Sequence, residues 1–146
     1  MMEERLFFAV RMVLYVVTLT VFMVVPAAMS DGMSIVGIHG DASSYSDWKG
    51  DIIPVMSKVS PGSTVTWVNW VRGGQIKVLF KDGKKCKNVT ADPQGYSLDS
   101  KTESYSTDYL PGGQKISLKF MEKGTYDFEV YAQGKIRPVK GQIVVQ

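Results

Sequence analysis

His39 and Cys86 are the only histidine and the only cysteine in a chain of 146 residues, and most site chemistry has to pass through them. One cysteine allows no internal disulfide. One histidine allows neither a two-His metal site nor a zinc site of several Cys and His ligands, and a binuclear copper centre would need a Cys pair. His39, Cys86 and either Met33 or Met56 form the one soft donor set on offer, although a lone His beside Gly40 reads more simply as a loop or strand-end residue. Cys86 stands in Lys84-Lys85-Cys86-Lys87, where neighbouring ammonium groups lower a thiol pKa. It is a candidate reactive thiol, able to pair with a partner's Cys if exposed; the plainer reading is an unpaired surface or half-buried thiol. A Ser-His-Asp triad would depend on His39 as base, and no Gly-x-Ser-x-Gly elbow accompanies it. Asp127 and Glu129 share one strand face, the arrangement of an ordinary solvated side. No phosphate-binding glycine loop is present, since Arg72-Gly73-Gly74 reads as a hairpin turn. Asn88-Val89-Thr90 fits the glycosylation sequon, a short pattern with a high chance rate. Neither an enzyme nor a resident cofactor is expected from this inventory.

The elements that would position these residues are strands. Hydrophobic residues make up 45% and charged residues 21%, a globular balance. Short β-rich runs alternate with Gly, Pro, Asn and Asp breakers, as in a sandwich or barrel. The expected strands are Met33–Ile38, Ile52–Val59, Ser63–Trp70, Ile76–Phe80, Ser104–Leu110, Lys115–Phe120, Thr125–Tyr131 and Gly141–Val145. Tyr126, Phe128 and Val130 alternate with Asp127 and Glu129, so one face is core and the other solvent. Around Val65, Trp67 and Asn69 the intervening Val68 and Trp70 are apolar, which predicts a strand covered on both faces or lying under a loop. Gly40–Gly50 and Asp82–Lys101 read as surface stretches with room for short helical turns. Tyr96, Tyr105, Tyr109, Trp48 and Trp70 are either core or a sticky surface around the long loop.

Residues 1–30 form a separate unit. Residues 12–28 carry no charge over 17 positions, longer than a signal peptide needs and shorter than a full membrane span. Small residues follow at Pro26-Ala27-Ala28. The segment reads as one N-terminal hydrophobic helix, either a cleaved signal peptide or an uncleaved anchor, and both place residues 31–146 outside the cytoplasm, in the periplasm or cell envelope. Without the first thirty residues the chain has 15 basic and 12 acidic groups, a net charge of +3. That is too small and too dispersed for a nucleic-acid partner.

Ser60-Pro61-Gly62-Ser63-Thr64-Val65-Thr66-Trp67-Val68-Asn69 resembles the early Asn-ended strand of cupredoxins, the blue copper superfamily. Pro111-Gly112-Gly113 through Phe120, then Gly124-Thr125-Tyr126-Asp127-Phe128, is similar to the later strand pair, and Gly141–Val145 to the closing strand. The resemblance covers most of residues 52–146 and implies an all-β, Greek-key β-sandwich. It also implies where copper ligands would stand: the first His at Gln75 or Ile76, the Cys at Val130, the second His among Tyr131, Ala132, Gln133 and Gly134, and the axial Met near Pro138 and Val139. Blue-copper sites use two imidazoles, a thiolate and a weak thioether. After Met121 this chain contains no Cys, His or Met. Type 1 copper in its usual place is therefore not expected, and packing is expected to fill the Val130 position. The sequence thus points to an exported, non-catalytic binding or accessory domain. Its partner would be a protein outside the cytoplasm, with the membrane as a second contact if the N-terminal segment stays uncleaved. The alternative is a periplasmic copper-binding or electron-transfer protein.

Overall fold

The computed structural model describes residues 32–43 and 48–146. The expected N-terminal helix and the boundary at residue 30 lie outside the described residues. Eleven strands and one short helix follow in chain order: β1 (Met33–Asp41), β2 (Lys49–Ile53), β3 (Met56–Val59), β4 (Ser63–Arg72), β5 (Ile76–Phe80), α1 (Gly83–Val89), β6 (Thr90–Gln94), β7 (Tyr96–Leu98), β8 (Tyr105–Thr107), β9 (Lys115–Phe120), β10 (Gly124–Ala132) and β11 (Val139–Val145). They form two sheets, ordered β2-β1-β4-β9-β6 and β3-β11-β10-β5-β8-β7. Most neighbours are antiparallel; β1 runs parallel to β4, and β3 parallel to β11. Among the described residues no helix is long and apolar enough to cross a membrane.

Period-two patterning builds the core. Val65, Trp67 and Asn69 of β4 point inward, as do Tyr126, Phe128 and Val130 of β10. Trp67 sits between the sheets with Phe128 at 5.5 Å, Tyr96 at 5.8 Å and Phe80 at 5.9 Å between ring centroids, all edge-on. Such aromatic pairs contribute about 0.5–1.5 kcal/mol each beyond their buried area. Behind Phe128, Gly141 of β11 leaves the space the ring occupies: a Cβ there would lie 2.4 Å from Phe128 Cζ.

Four expectations need correction. The run Ile52–Val59 is two strands in different sheets, because Pro54 has no N–H to carry the ladder onward. Arg72-Gly73-Gly74 is not a hairpin turn: β4 and β5 belong to opposite sheets, and the turn carries the chain across the sandwich. Asp82–Lys101 is not simply a surface stretch, since it holds α1, β6 and β7 and buries Cys86, Val89 and Tyr96. Trp70 is not covered; half exposed, it lies with His39 over Gly37, their ring centroids 4.8 Å apart.

Candidate functional site

The turns at one end of the sandwich collect the positions that the sequence resemblance singled out. Val130 stands opposite Val78 on one side and Val139 on the other, and Ala132 stands opposite Ile76. The Gln133 N–H donates to Gln75 O at 2.9 Å, while Ile76 and Leu110 exchange backbone bonds of 3.0 and 2.7 Å. All five positions, Gln75, Ile76, Val130, Gln133 and Val139, therefore meet. Ile76 and Val130 are fully buried and Val139 partly so. Gln75 and Gln133 are exposed and line a shallow cavity of about 430 Å³ with Val71, Gly73, Gly74, Pro111 and Gly112.

Asn69 holds this end together. Its side-chain amide donates to Leu110 O at 2.9 Å and Gly74 O at 3.3 Å, and its Oδ1 accepts from Val71 N–H at 2.8 Å. Its backbone bonds Gln114 and Gly113. A fully buried carboxamide is tolerated because every group is partnered. Two loops are tied to one residue.

The donors gathered here are two neutral carboxamides above a layer of aliphatic carbon. Copper of the blue type needs imidazole and thiolate, and none of these five positions supplies either. His39 packs at a tilt against Trp70 on the outer face of the first sheet, and Cys86 is on the buried side of α1. Met33 and His39 stand at opposite ends of β1, and Met56 pairs with Gln142 in the other sheet, so the soft donor set is not assembled. No three His, Cys, Asp or Glu side chains converge among the described residues. Gln75, Ile76, Val130, Gln133 and Val139 offer carboxamide and aliphatic carbon in place of imidazole and thiolate.

The candidate reactive thiol also needs correction. Cys86 is only 2% exposed, and burial, reinforced by the Asp82 carboxylate, pushes its pKa up to about 12. Lys84, Lys85 and Lys87 extend into solvent, where water screens them. Cys86 lines one wall of a groove of about 600 Å³ between α1 and the second sheet, with Tyr126, Lys81, Lys140 and Glu129 among its neighbours. Glu129 departs from the expected solvated face. The residue is 7% exposed, and its carboxylate takes the Tyr131 O–H at 2.7 Å and Lys81 Nζ at 2.9 Å and has Lys140 Nζ at 3.8 Å. Desolvation pushes this acid up, but those donors outweigh it and hold it below the usual carboxylate value. Of the aromatic residues, Trp48, Tyr96 and Tyr105 are core, whereas Tyr109 and Trp70 are exposed. Sequence reasoning missed the roles of Asn69 and Glu129; the one signal for Glu129 was the pair of lysines that the sheet brings alongside it.

The strand that carries Asn69 is β4, which runs on to Arg72; the later pair is β9 and β10, and the closing strand β11 pairs with β10. This arrangement agrees with the cupredoxin-like sandwich that the sequence resemblance implies. No protein-family profile matches the chain, and no curated protein matches it in sequence. In structure it is similar to amicyanin from Paracoccus versutus (Thiobacillus versutus), at 18% identity over 80% of this chain and 83% of that one, TM-score 0.47. A reduced Cu(I) form of an amicyanin mutant at pH 4 is 23% identical over 82% and 88%, TM-score 0.45. The oxidized state of another amicyanin mutant is 24% identical over the same shares, 82% and 88%, TM-score 0.45.

Proposed function

We propose that this chain is an exported, non-catalytic cupredoxin-like domain that binds a protein partner outside the cytoplasm and carries no type 1 copper. The observation that supports it most is Val130. It occupies the position where the sequence resemblance implies a Cys, fully buried between Val78 and Val139. The 17 uncharged residues 12–28 support export.

Titration of the purified protein with Cu(II) tests the metal reading. The expected result is no thiolate-to-copper absorption band and no rise in melting temperature, because a ligand stabilises only when it prefers the folded state. A tight stoichiometric Cu(I) site that disappears in Cys86→Ser would instead make the protein a copper handler. A reporter active only outside the cytoplasm, fused after Gln146, should be active; a silent reporter sinks the export reading.

A further inference from the structure

The outward side of the first sheet carries an apolar strip. Val36 and Ile38 of β1 are fully buried, so Met33, Ile35, Gly37 and His39 face out. The register sets Ile53 of β2 and Val68 of β4 on either side of Gly37, and Trp70 beside His39. A Cβ on Gly37 would lie 2.5 Å from Trp70 Cζ3 and 2.6 Å from His39 Nε2. Both rings therefore lie over the glycine and carry the strip onward from Ile35. Val55 and Met56 continue from Ile53 into β3, at the edge of the sheet. Of the large apolar side chains exposed among the described residues, all but Tyr109 and Ile136 belong to this strip or this edge. Scattered apolar residues need no explanation, whereas a grouped set marks a protein or membrane contact.

We propose that this face rests on a lipid bilayer in which residues 12–28 are anchored. The proposal rests on the export reading above and deepens it, because it selects the uncleaved anchor and adds a second membrane contact. The occupant follows from where the remaining chain arrives. The uncharged run ends at Ala28, and Met29-Ser30-Asp31-Gly32 lead directly into Met33, the first residue of the strip. The five steps from Ala28 to Met33 reach at most roughly 18 Å. The headgroup layer outside the hydrocarbon takes roughly 5–7 Å of that. An anchor ending at Ala28 thus holds Met33 at the membrane surface, and the strip runs on along β1 for roughly 13 Å to Gly37. Trp70 then lies at headgroup level, where indole rings are enriched. A cleaved chain would leave the whole strip uncovered. Charge does not oppose the contact. Level with Met33 to Gly37, the outward charged groups of β2, β1, β4 and β9 are Lys115 and Lys119. Asp51, Asp41, Lys49 and Arg72 stand beyond, level with His39 and Asp41. Asp92 sits in the bulge of β6, three strands from β1.

Trp70 tests this without a label, since Trp48 and Trp67 are buried. The full chain is extracted from the membranes of its host and its intact mass measured. It is then reconstituted in phosphatidylcholine vesicles with and without bromine on the acyl chains. Bromine quenches an indole only at close range. Trp70 emission, taken as parent minus Trp70→Phe, should be lost in the brominated vesicles. Ile35→Asp and Ile53→Asp should restore it while the chain stays in the vesicles. All three side chains are exposed, and circular dichroism confirms that the variants fold. Trp70 emission that survives bromine, or is lost equally in both Asp variants, overturns the proposal. Disulfide-linked dimers of Ile35→Cys with Trp70 unquenched would overturn it in favour of a second copy. A mature chain that begins after Ala28 has lost the tether and overturns it too, while leaving export intact. The reporter fused after Gln146 separates the two readings. An active reporter with unquenched Trp70 defeats only the membrane face. A silent reporter defeats export, and the face then stands or falls by the quenching.

Discussion

The ammonium groups of Lys84, Lys85 and Lys87 would favour a thiolate at Cys86 if all four side chains shared solvent. They do not, because the residues at spacing three, Gly83, Cys86 and Val89, form the buried stripe of α1 while the lysines face out. Desolvation of the thiolate then decides the pKa, which rises to about 12. The folded state thus holds the thiol proton more tightly than the unfolded chain, whose thiol titrates near 9. Stability from this group is complete below that value and is lost as pH climbs through the folded pKa. Tyr96 acts in the same direction: burial, then Cys86 and Tyr105 beside it, raise its hydroxyl well above the usual range. Two results are expected. A thiol reagent at pH 8 should leave the native protein untouched and label it in denaturant. Cys86→Ala should cost about 1 kcal/mol at neutral pH and soften the loss of stability above pH 9, as followed by denaturant unfolding across pH. Fast labelling of the native state would mean that α1 opens readily and that the buried description is wrong.

At the level of elements, β4 makes the loop end. Its inward row runs through Asn69 to Val71, and the Asn69 amide ties Gly74 and Leu110 while its carbonyl oxygen takes the Val71 N–H. Asn69→Ala would leave buried carbonyl and N–H groups without partners, at about 1–3 kcal/mol for each group so stranded. Asn69→Asp is worse at neutral pH, since a buried carboxylate cannot donate to two carbonyl oxygens. Thermal unfolding of the two variants should rank them in that order below the parent, and equal melting temperatures would remove Asn69 from its role. Much of this element was readable in advance. The strand Ser63–Trp70, its Asn and the Tyr126-Phe128-Val130 row follow from alternation, a local property. The parts that were not readable depend on distant chain. Thr90–Gln94 carries no alternating apolar row, and its partner β9 lies more than twenty residues further along the chain. Glu129 looks solvated in its own strand, and becomes buried only when Lys81 and Lys140 arrive from β5's end and β11. The assembly of Gln75, Ile76, Val130, Gln133 and Val139 was implied by family resemblance.

The whole molecule is closed around one aromatic cluster. Trp67 from the first sheet meets Phe80 and Phe128 from the second, Tyr96 from the segment after α1, and Phe120 from β9, with centroids between 5.5 and 6.5 Å. The chain crosses repeatedly between sheets, so neither sheet keeps a buried face once the other leaves, and unfolding should be a single cooperative step. The same cluster contains a liability: Trp67 Nε1 is buried with no hydrogen-bond partner among the described residues. Removing the indole N–H therefore relieves the desolvation cost of a polar group while losing part of a large apolar contact. Trp67→Phe should stay folded and lose clearly less stability than the cavity-forming Trp67→Ala, which should cost about 3–5 kcal/mol, a large share of the 5–15 kcal/mol typical of a domain. Far-UV circular dichroism, which reports strands of both sheets, and near-UV circular dichroism, which reports the aromatic cluster, should give coincident denaturation curves for parent and Trp67→Phe. Two separated transitions would show that one sheet survives without the other, and a Trp67→Ala variant as stable as Trp67→Phe would take the cluster out of the account of what holds the sheets together.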